Sequence, residues 1–157
     1  MIVPAEGDFR LESEADTVRL GAALARALEK GEAICLSGPL GAGKSALARA
    51  LIRTLSPVEG DVPSPTFTLV QFYDGPDFPV AHFDLYRLEN PDEAFEIGLD
   101  EALKDGAAVI EWAERLGHHL PHDRLDVEIE VADEAGGEAR RVRLTAHGAW
   151  RERALDL

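Results

Sequence analysis

Residues 38–45 read Gly38-Pro39-Leu40-Gly41-Ala42-Gly43-Lys44-Ser45 and match in full the pattern G-x-x-x-x-G-K-[ST]. Glycines in this pattern let the backbone curl so that successive N–H groups point at phosphate oxygens, and the helix that follows adds a partial positive charge. Residues 32–37 before the loop are apolar and strand-like, and residues 46–52 after it are rich in helix formers. Motif and context together predict a phosphate-binding loop, and hence the binding of a nucleoside triphosphate.

Two side chains of this loop carry specific chemistry. Lys44 is expected to reach the β- and γ-phosphates, and the Ser45 hydroxyl is expected to ligate Mg²⁺. The loop therefore predicts a nucleoside triphosphate and Mg²⁺ as the cofactors, and the family resemblance described below implies that the nucleotide is ATP. The residues expected to hold the nucleotide here are Gly38, Gly41, Ala42, Gly43, Lys44 and Ser45.

The charge balance of the chain argues against direct contact with nucleic acid. Acidic side chains outnumber basic ones by 30 to 16, and the formal net charge is −14. Binding to RNA or DNA needs a basic face that replaces counterions at phosphates. We therefore expect no direct nucleic-acid binding, and a role near RNA would run through a protein partner. A simpler interpretation is that the acidity serves solubility.

Length and composition predict a single cytoplasmic domain. The chain has 157 residues, enough for one core, and residues 147–157 are expected to form a short C-terminal tail. The one cysteine, Cys35, lies in the apolar run before the loop, as a core residue would in a reducing compartment. No stretch has the length of a signal or of a membrane span, so no membrane association is expected.

The pattern of apolar and breaking residues predicts alternating helices and strands. A capping sequence at Ser13 starts a helix that runs toward Gly31, and residues 57–65 form a proline-rich loop. Two strand-like runs follow at residues 66–73 and 79–86, with a turn between them that suggests an antiparallel pair. Two short helical pieces broken at Gly98 then lead to a buried strand at residues 107–110.

The last third of the chain predicts a hairpin in one particular register. Apolar and charged residues alternate over residues 125–131 and again over residues 141–146. Pairing Ile129 with Val142 sets Glu130 opposite Arg141, and it sets Glu128 opposite Arg143. The arginine cluster thus has a structural explanation. The alternative is that one of these arginines contacts the nucleotide, and the candidates are Arg140, Arg141 and Arg143.

Two acidic residues at strand ends compete for the catalytic work. Asp84 follows residues 80–83 and Glu111 follows residues 107–110, so both face the crevice where open α/β sheets bind ligands. The more apolar lead-in favours Glu111 as a direct or water-mediated Mg²⁺ partner, with Asp84 organising metal-bound water or the attacking water. His82 lies beside Asp84 and can be interpreted as a proton shuttle or as a partly buried strand histidine.

These segments resemble the ordered motifs of the TsaE (YjeE) family. The resemblance rests on the loop at 38–45 and on residues 64–70, 82–88 and 110–112, and it runs from about residue 10 to residue 145. Members are small bacterial P-loop ATPases required to make threonylcarbamoyladenosine in tRNA. The fold that it implies is α/β, a P-loop NTPase-like three-layer sandwich with a central mixed sheet and a C-terminal antiparallel hairpin.

The resemblance also implies roles for individual residues. It makes Thr66 the switch-loop threonine, Asp84 the carboxylate of a Walker B-like motif, and Glu111 the Mg²⁺ partner beside Ser45. It places Trp112 close to the nucleotide, and Glu14 and Thr17 near the adenine. The implied partners are TsaD and TsaB, with a weak, partner-dependent ATPase activity. The chain departs from the family pattern at Pro39, where an acidic residue or asparagine is usual, and at Ser45, where threonine is usual.

Two other functions fit the loop alone. A small-molecule kinase has the same size and the same loop, but such kinases commonly close a helical lid, and this chain ends in a predicted hairpin. An adaptor would bind ATP or ADP only to set the shape of a partner surface.

Overall fold

The computed structural model describes residues 1–57, 62, 65, 68–132 and 137–157 of the chain. Within these ranges the strands and helices alternate along the sequence. The strands are β1 (Ile2–Pro4), β2 (Gly7–Leu11), β3 (Ala33–Ser37), β4 (Val70–Asp74), β5 (Pro79–Asp84), β6 (Ala107–Glu111), β7 (Arg124–Val131), β8 (Arg140–His147) and β9 (Ala154–Asp156). The α-helices are α1 (Glu14–Ala27), α2 (Lys44–Leu55), α3 (Glu93–Glu96) and α4 (Leu99–Asp105), and 3₁₀ helices cover Ala113–His119 and Gly148–Trp150.

Seven of the described strands form one mixed sheet in the order β2-β8-β7-β3-β6-β5-β4. The centre is parallel, since β3 pairs parallel with both β6 and β7, and β5 pairs parallel with β6. The flanks are antiparallel, with β4 on β5 at one edge and β2 on β8 at the other. This arrangement confirms the predicted α/β class, with a mixed central sheet and a C-terminal antiparallel hairpin.

Helices cover both faces of the parallel centre. Alternate residues of β3 point to opposite sides, so Ile34 packs with α1 and α2 while Cys35 packs with the layer that contains α4. Burial raises the pKa of the Cys35 thiol, as expected for an inert core residue. The three layers therefore follow from an almost fully apolar β3.

The predicted hairpin forms in the predicted register. Ile129 pairs with Val142, Glu130 with Arg141 and Glu128 with Arg143. Arg141 donates to Glu130 at 3.1 Å. Arg143 instead donates to Asp8 at 2.8 Å, because β2 lies on the other side of β8 and sets Asp8 directly opposite Arg143. The strand β2 was not expected from the sequence.

Other predicted elements are also present. The antiparallel pair is β4 with β5, although most of the proline-rich loop and residues 66–67 lie outside the described residues. Ser13 caps α1 by accepting from the Asp16 N–H, and Gly98 separates α3 from α4 with a φ of +89°. No helix in the described ranges is both long and apolar enough to cross a membrane.

The C-terminal residues, expected only as a short tail, pack onto the domain. β9 pairs with β1, and the side chain of Trp150 is fully buried. The Arg153 guanidinium lies 4.4 Å from the centre of the Trp150 ring and donates to Glu32 at 2.7 Å. This contact ties the last residues to the segment that enters β3.

The close packing of α1 on α2 gives a testable consequence at Gly21. A Cβ at this position would lie 2.7 Å from the Ala50 Cβ and 3.1 Å from the Leu51 nitrogen. We expect Gly21→Ala to lower the free energy of unfolding by about 1–3 kcal/mol, the usual cost of overpacking. Urea unfolding would measure the change. Adding Ala50→Gly removes the facing methyl, so a coupling energy of at least about 0.5 kcal/mol in favour of the double variant is expected. Strictly additive losses would contradict the close approach.

Candidate nucleotide site

The loop between β3 and α2 adopts a backbone that depends on its glycines. Gly38, Gly41 and Gly43 have φ values of +136°, +78° and +109°, and α2 begins immediately afterwards at Lys44. Positive φ values in such a turn allow successive N–H groups to converge on an anion, and the start of α2 contributes its dipole to the same place. The local sequence therefore builds a phosphate cradle between a buried strand and a helix N-terminus.

The C-terminal hairpin braces this cradle. A Cβ at Gly38 would collide with the Ile129 carbonyl oxygen, so the loop touches the backbone of β7. From β8, the Arg140 Nε donates to the Ala42 carbonyl at 2.9 Å. The three arginines thus differ: Arg141 and Arg143 form ion pairs on the sheet surface, whereas Arg140 reaches the phosphate loop.

Lys44 rests against the loop. Its Nζ donates to the carbonyl oxygens of Gly38 at 2.5 Å and Pro39 at 2.8 Å. The Trp112 ring centre lies 4.0 Å from the same atom, and the lysine is 5% exposed. Burial lowers the pKa of Lys44, and the charges of Glu114, Glu111 and Asp84 act in the opposite direction. A bound phosphate would replace the two carbonyls as acceptor for this ammonium group.

The two strand-end carboxylates lie side by side at the cradle. Asp84 and Glu111 are register partners at the ends of β5 and β6. Ser45 Oγ donates to Glu111 Oε1 at 2.6 Å, and the other oxygen of Glu111 lies 2.6 Å from His82 Nε2. Asp84 Oδ1 accepts from the Tyr86 N–H at 3.1 Å. A hydroxyl and carboxylates converging here are the oxygen donors that Mg²⁺ prefers.

Trp112 adopts an unusual backbone conformation beside these groups. Its φ and ψ are +59° and +42°, a left-handed conformation that is rare for a bulky side chain. The Tyr86 ring centre lies 4.9 Å from the Trp112 ring centre. The two rings pack against each other, and the Trp112 ring contacts the Lys44 ammonium group.

A cavity of about 440 Å³ opens over these residues. The predicted site residues that line it are Gly41, Gly43, Lys44, Ser45, Asp84, Glu111 and Trp112. Gly38 and Ala42 belong to the same loop but do not line this cavity, and neither do Glu14 and Thr17. Glu14 is exposed and Thr17 is buried on α1, so their predicted adenine contact stays a prediction. Thr66 lies outside the described residues.

Several features of the site were not among the sequence predictions. The cavity is also lined by Leu40, Ala46, Arg49 and Tyr86, and His82 contacts Glu111 rather than Asp84. Alternation along β5 puts His82 and Asp84 on the same face, which was readable from the sequence. The sequence did not show that β6 lies beside β5, because strand adjacency depends on contacts between distant parts of the chain.

The other histidines lie apart from this site. His119 is 2.6 Å from Asp92, and its ring centre lies 4.1 Å from that of His118. Among the described residues, no group of three or more His, Cys, Asp or Glu side chains is arranged to hold a metal ion.

Together, the layered mixed sheet, the glycine-rich loop before α2 and the paired strand-end carboxylates define a P-loop NTPase-like fold. The crystal structure of YdiB from Bacillus subtilis has the same fold, with a TM-score of 0.74, 28% identity, and coverage of 96% of this chain and 90% of YdiB. A sequence profile of the family described as "Threonylcarbamoyl adenosine biosynthesis protein TsaE" matches residues 11–142. The chain belongs to the TsaE family, which confirms the resemblance.

Relatives at the sequence level carry the same family name. A protein of Streptomyces coelicolor is 41% identical over 135 residues, which cover 82% of this chain and 89% of the relative. A protein of Rickettsia felis is 39% identical over 124 residues, which cover 79% of this chain and 72% of the relative. Both are named "tRNA threonylcarbamoyladenosine biosynthesis protein TsaE".

The contact between the loop and β7 predicts unequal effects at two glycines. A methyl group added at Gly41 would meet only open space, so Gly41→Ala should cost only the left-handed backbone, about 1–2 kcal/mol of unfolding free energy. Gly38→Ala should cost roughly 3 kcal/mol or more, because backbone strain adds to the collision with Ile129. Urea unfolding followed by circular dichroism would compare them. Equal losses would contradict the close approach of the loop to β7.

Proposed function

We propose that this protein binds ATP with Mg²⁺ and hydrolyses it slowly, in support of threonylcarbamoyladenosine formation in tRNA. One observation carries the proposal: the Ser45 hydroxyl of the loop is hydrogen-bonded to Glu111 at 2.6 Å, beside Asp84. A loop that only held phosphate would not need two buried carboxylates at its edge. Membership of the TsaE family and the names of its relatives support the tRNA pathway.

The residues present fit a Mg²⁺-bound nucleotide. The glycine backbone offers the cradle, and Lys44 is held by two carbonyls that a phosphate can replace. Ser45 and Glu111 would hold the cation, whose chemistry is to polarise phosphate oxygens and neutralise their charge. Trp112 and Tyr86, whose rings lie 4.9 Å apart, line the cavity beside these groups.

The two carboxylates are assigned different tasks. Glu111 contacts Ser45 and is 1% exposed, so it suits the cation directly or through one water. Asp84 has one oxygen held by the Tyr86 N–H and lines the cavity, so it suits the attacking water. Thr66 is proposed as the switch-loop residue by resemblance alone.

The partners follow from charge and from family membership. With a net charge of −14, the surface is unsuited to RNA, so contact with the tRNA is assigned to other proteins. We propose TsaD and TsaB as these partners, in the cytoplasm, and expect the ATPase activity to depend on them.

The division of labour predicts separable defects. Lys44→Ala should abolish ATP binding, because it removes the ammonium group that faces the phosphates. Asp84→Ala and Glu111→Ala should leave binding largely intact and lower hydrolysis at least about 100-fold. Binding of a fluorescent ATP analogue and release of phosphate measure the two properties. Lys104→Ala removes the same charge from an exposed position on α4 and should change neither. Loss of binding in all three site variants would refute this division of roles.

Reconstitution of tRNA modification tests the biological role. With TsaD, TsaB and substrates, the reaction should continue over many turnovers only when this protein and ATP are present. Complete modification without it would overturn the proposal. If Asp84→Ala binds ATP, does not hydrolyse it and still supports full turnover of the modification reaction, hydrolysis is not needed for this role and the protein acts there as an adaptor.

A further inference from the structure

A buried histidine continues the chain of contacts that begins at the phosphate loop. His82 lies on β5, its side chain is fully buried, and its Nε2 is 2.6 Å from Glu111 Oε2. The opposite oxygen, Oε1, accepts from Ser45 at 2.6 Å. Glu111 is therefore held between α2 on one side and β5 on the other.

The polar contacts of the His82 ring point in one direction. Its Nδ1 is buried and has no hydrogen-bond partner within the described part of the chain. Because an ionised carboxylate only accepts hydrogen bonds, we assign the ring hydrogen of this contact to Nε2. Within the described part of the chain, the hydrogen bond of the His82 ring is therefore the one to Glu111.

Two of the described neighbours of His82 on its face of the sheet are valines. Val80 precedes it on the same face of β5 and is fully buried, and Val109 is its register partner on β6, whereas Gln71, its register partner on β4, is exposed. An aliphatic residue would pack against these valines without burying a ring nitrogen that has no hydrogen-bond partner among the described residues. The contact with the Glu111 carboxylate explains why a histidine occupies this position.

We propose that His82 is a positioning residue that fixes the orientation of the Glu111 carboxylate toward Ser45 and the cation. The terminal torsion of a glutamate is broad, so one hydrogen bond leaves the carboxylate free to turn about its axis. Donors on both oxygens fix its plane. Partners of this kind commonly contribute 10- to 100-fold to metal affinity or activity. The inference rests on the proposed function, because it acts through Glu111.

A pair of amide variants tests the inference. The side-chain nitrogen of His82→Gln falls near the position of Nε2, whereas the side chain of His82→Asn is too short to reach Glu111. We expect His82→Asn to raise the Mg²⁺ concentration for half-maximal hydrolysis by about 10- to 100-fold, and His82→Gln to stay within about 3-fold of the wild type. Calorimetric titration of ADP at increasing Mg²⁺ should show the same order without turnover, and ADP binding without Mg²⁺ should be unchanged.

Control variants separate positioning from packing. Val80→Ala also opens a cavity on the same face of β5, so it should lower the unfolding temperature without changing the Mg²⁺ dependence. An equal Mg²⁺ shift in Val80→Ala and His82→Asn would overturn the inference. If His82→Asn does not fold, His82→Gln decides: a folded Gln variant whose Mg²⁺ dependence is shifted as far as that of Glu111→Ala overturns it.

Glu111→Ala distinguishes this inference from the proposed function. If Glu111→Ala changes the Mg²⁺ dependence and His82→Asn does not, the inference fails and the function stands. If Glu111→Ala leaves the Mg²⁺ dependence unchanged, the metal role in the proposed function fails.

Discussion

The site depends on one buried carboxylate. Glu111 is 1% exposed, and the cost of desolvating an ion, several kcal/mol, has to be offset by hydrogen bonds at both oxygens. Ser45 and His82 provide them, each a charge-assisted bond of about 1.5–3 kcal/mol. Because these donors come from α2 and β5, satisfying Glu111 fixes the phosphate loop relative to the sheet. Because Trp112 directly follows Glu111, its ring lies next to the Lys44 ammonium group.

A second constraint comes from the crowding of the loop against the hairpin. Gly38 has no room for a side chain because β7 passes at Ile129, and Arg140 of β8 holds the Ala42 carbonyl. The hairpin therefore supports the backbone of the loop at the candidate nucleotide site. Its own stability matters for this reason: β2 pairs with β8 and removes an exposed edge next to the loop.

Local patterns predicted the parts of the fold that they encode. The loop at Lys44 is recognisable from eight consecutive residues, and the hairpin register followed because pairing Ile129 with Val142 satisfied both faces at once. Asp84 and Glu111 were found because strand ends are readable. The strands β1, β2 and β9 were not predicted, because short strands are stabilised by partners that are distant in the sequence. In β2, for example, Asp8 lies opposite Arg143 of β8.

The features of the site that could not be predicted from the sequence depend on contacts between different strands and loops. The sequence shows only that His82 is two residues from Asp84, and the adjacency of β5 and β6 brings its side chain to Glu111. The aromatic pair of Tyr86 and Trp112 depends on a left-handed backbone at Trp112, for which no local residue type gives a signal. Pro39, a departure from the family pattern, is compatible with these contacts. It has no N–H for a phosphate, but its backbone carbonyl, which any residue type would supply, accepts from Lys44.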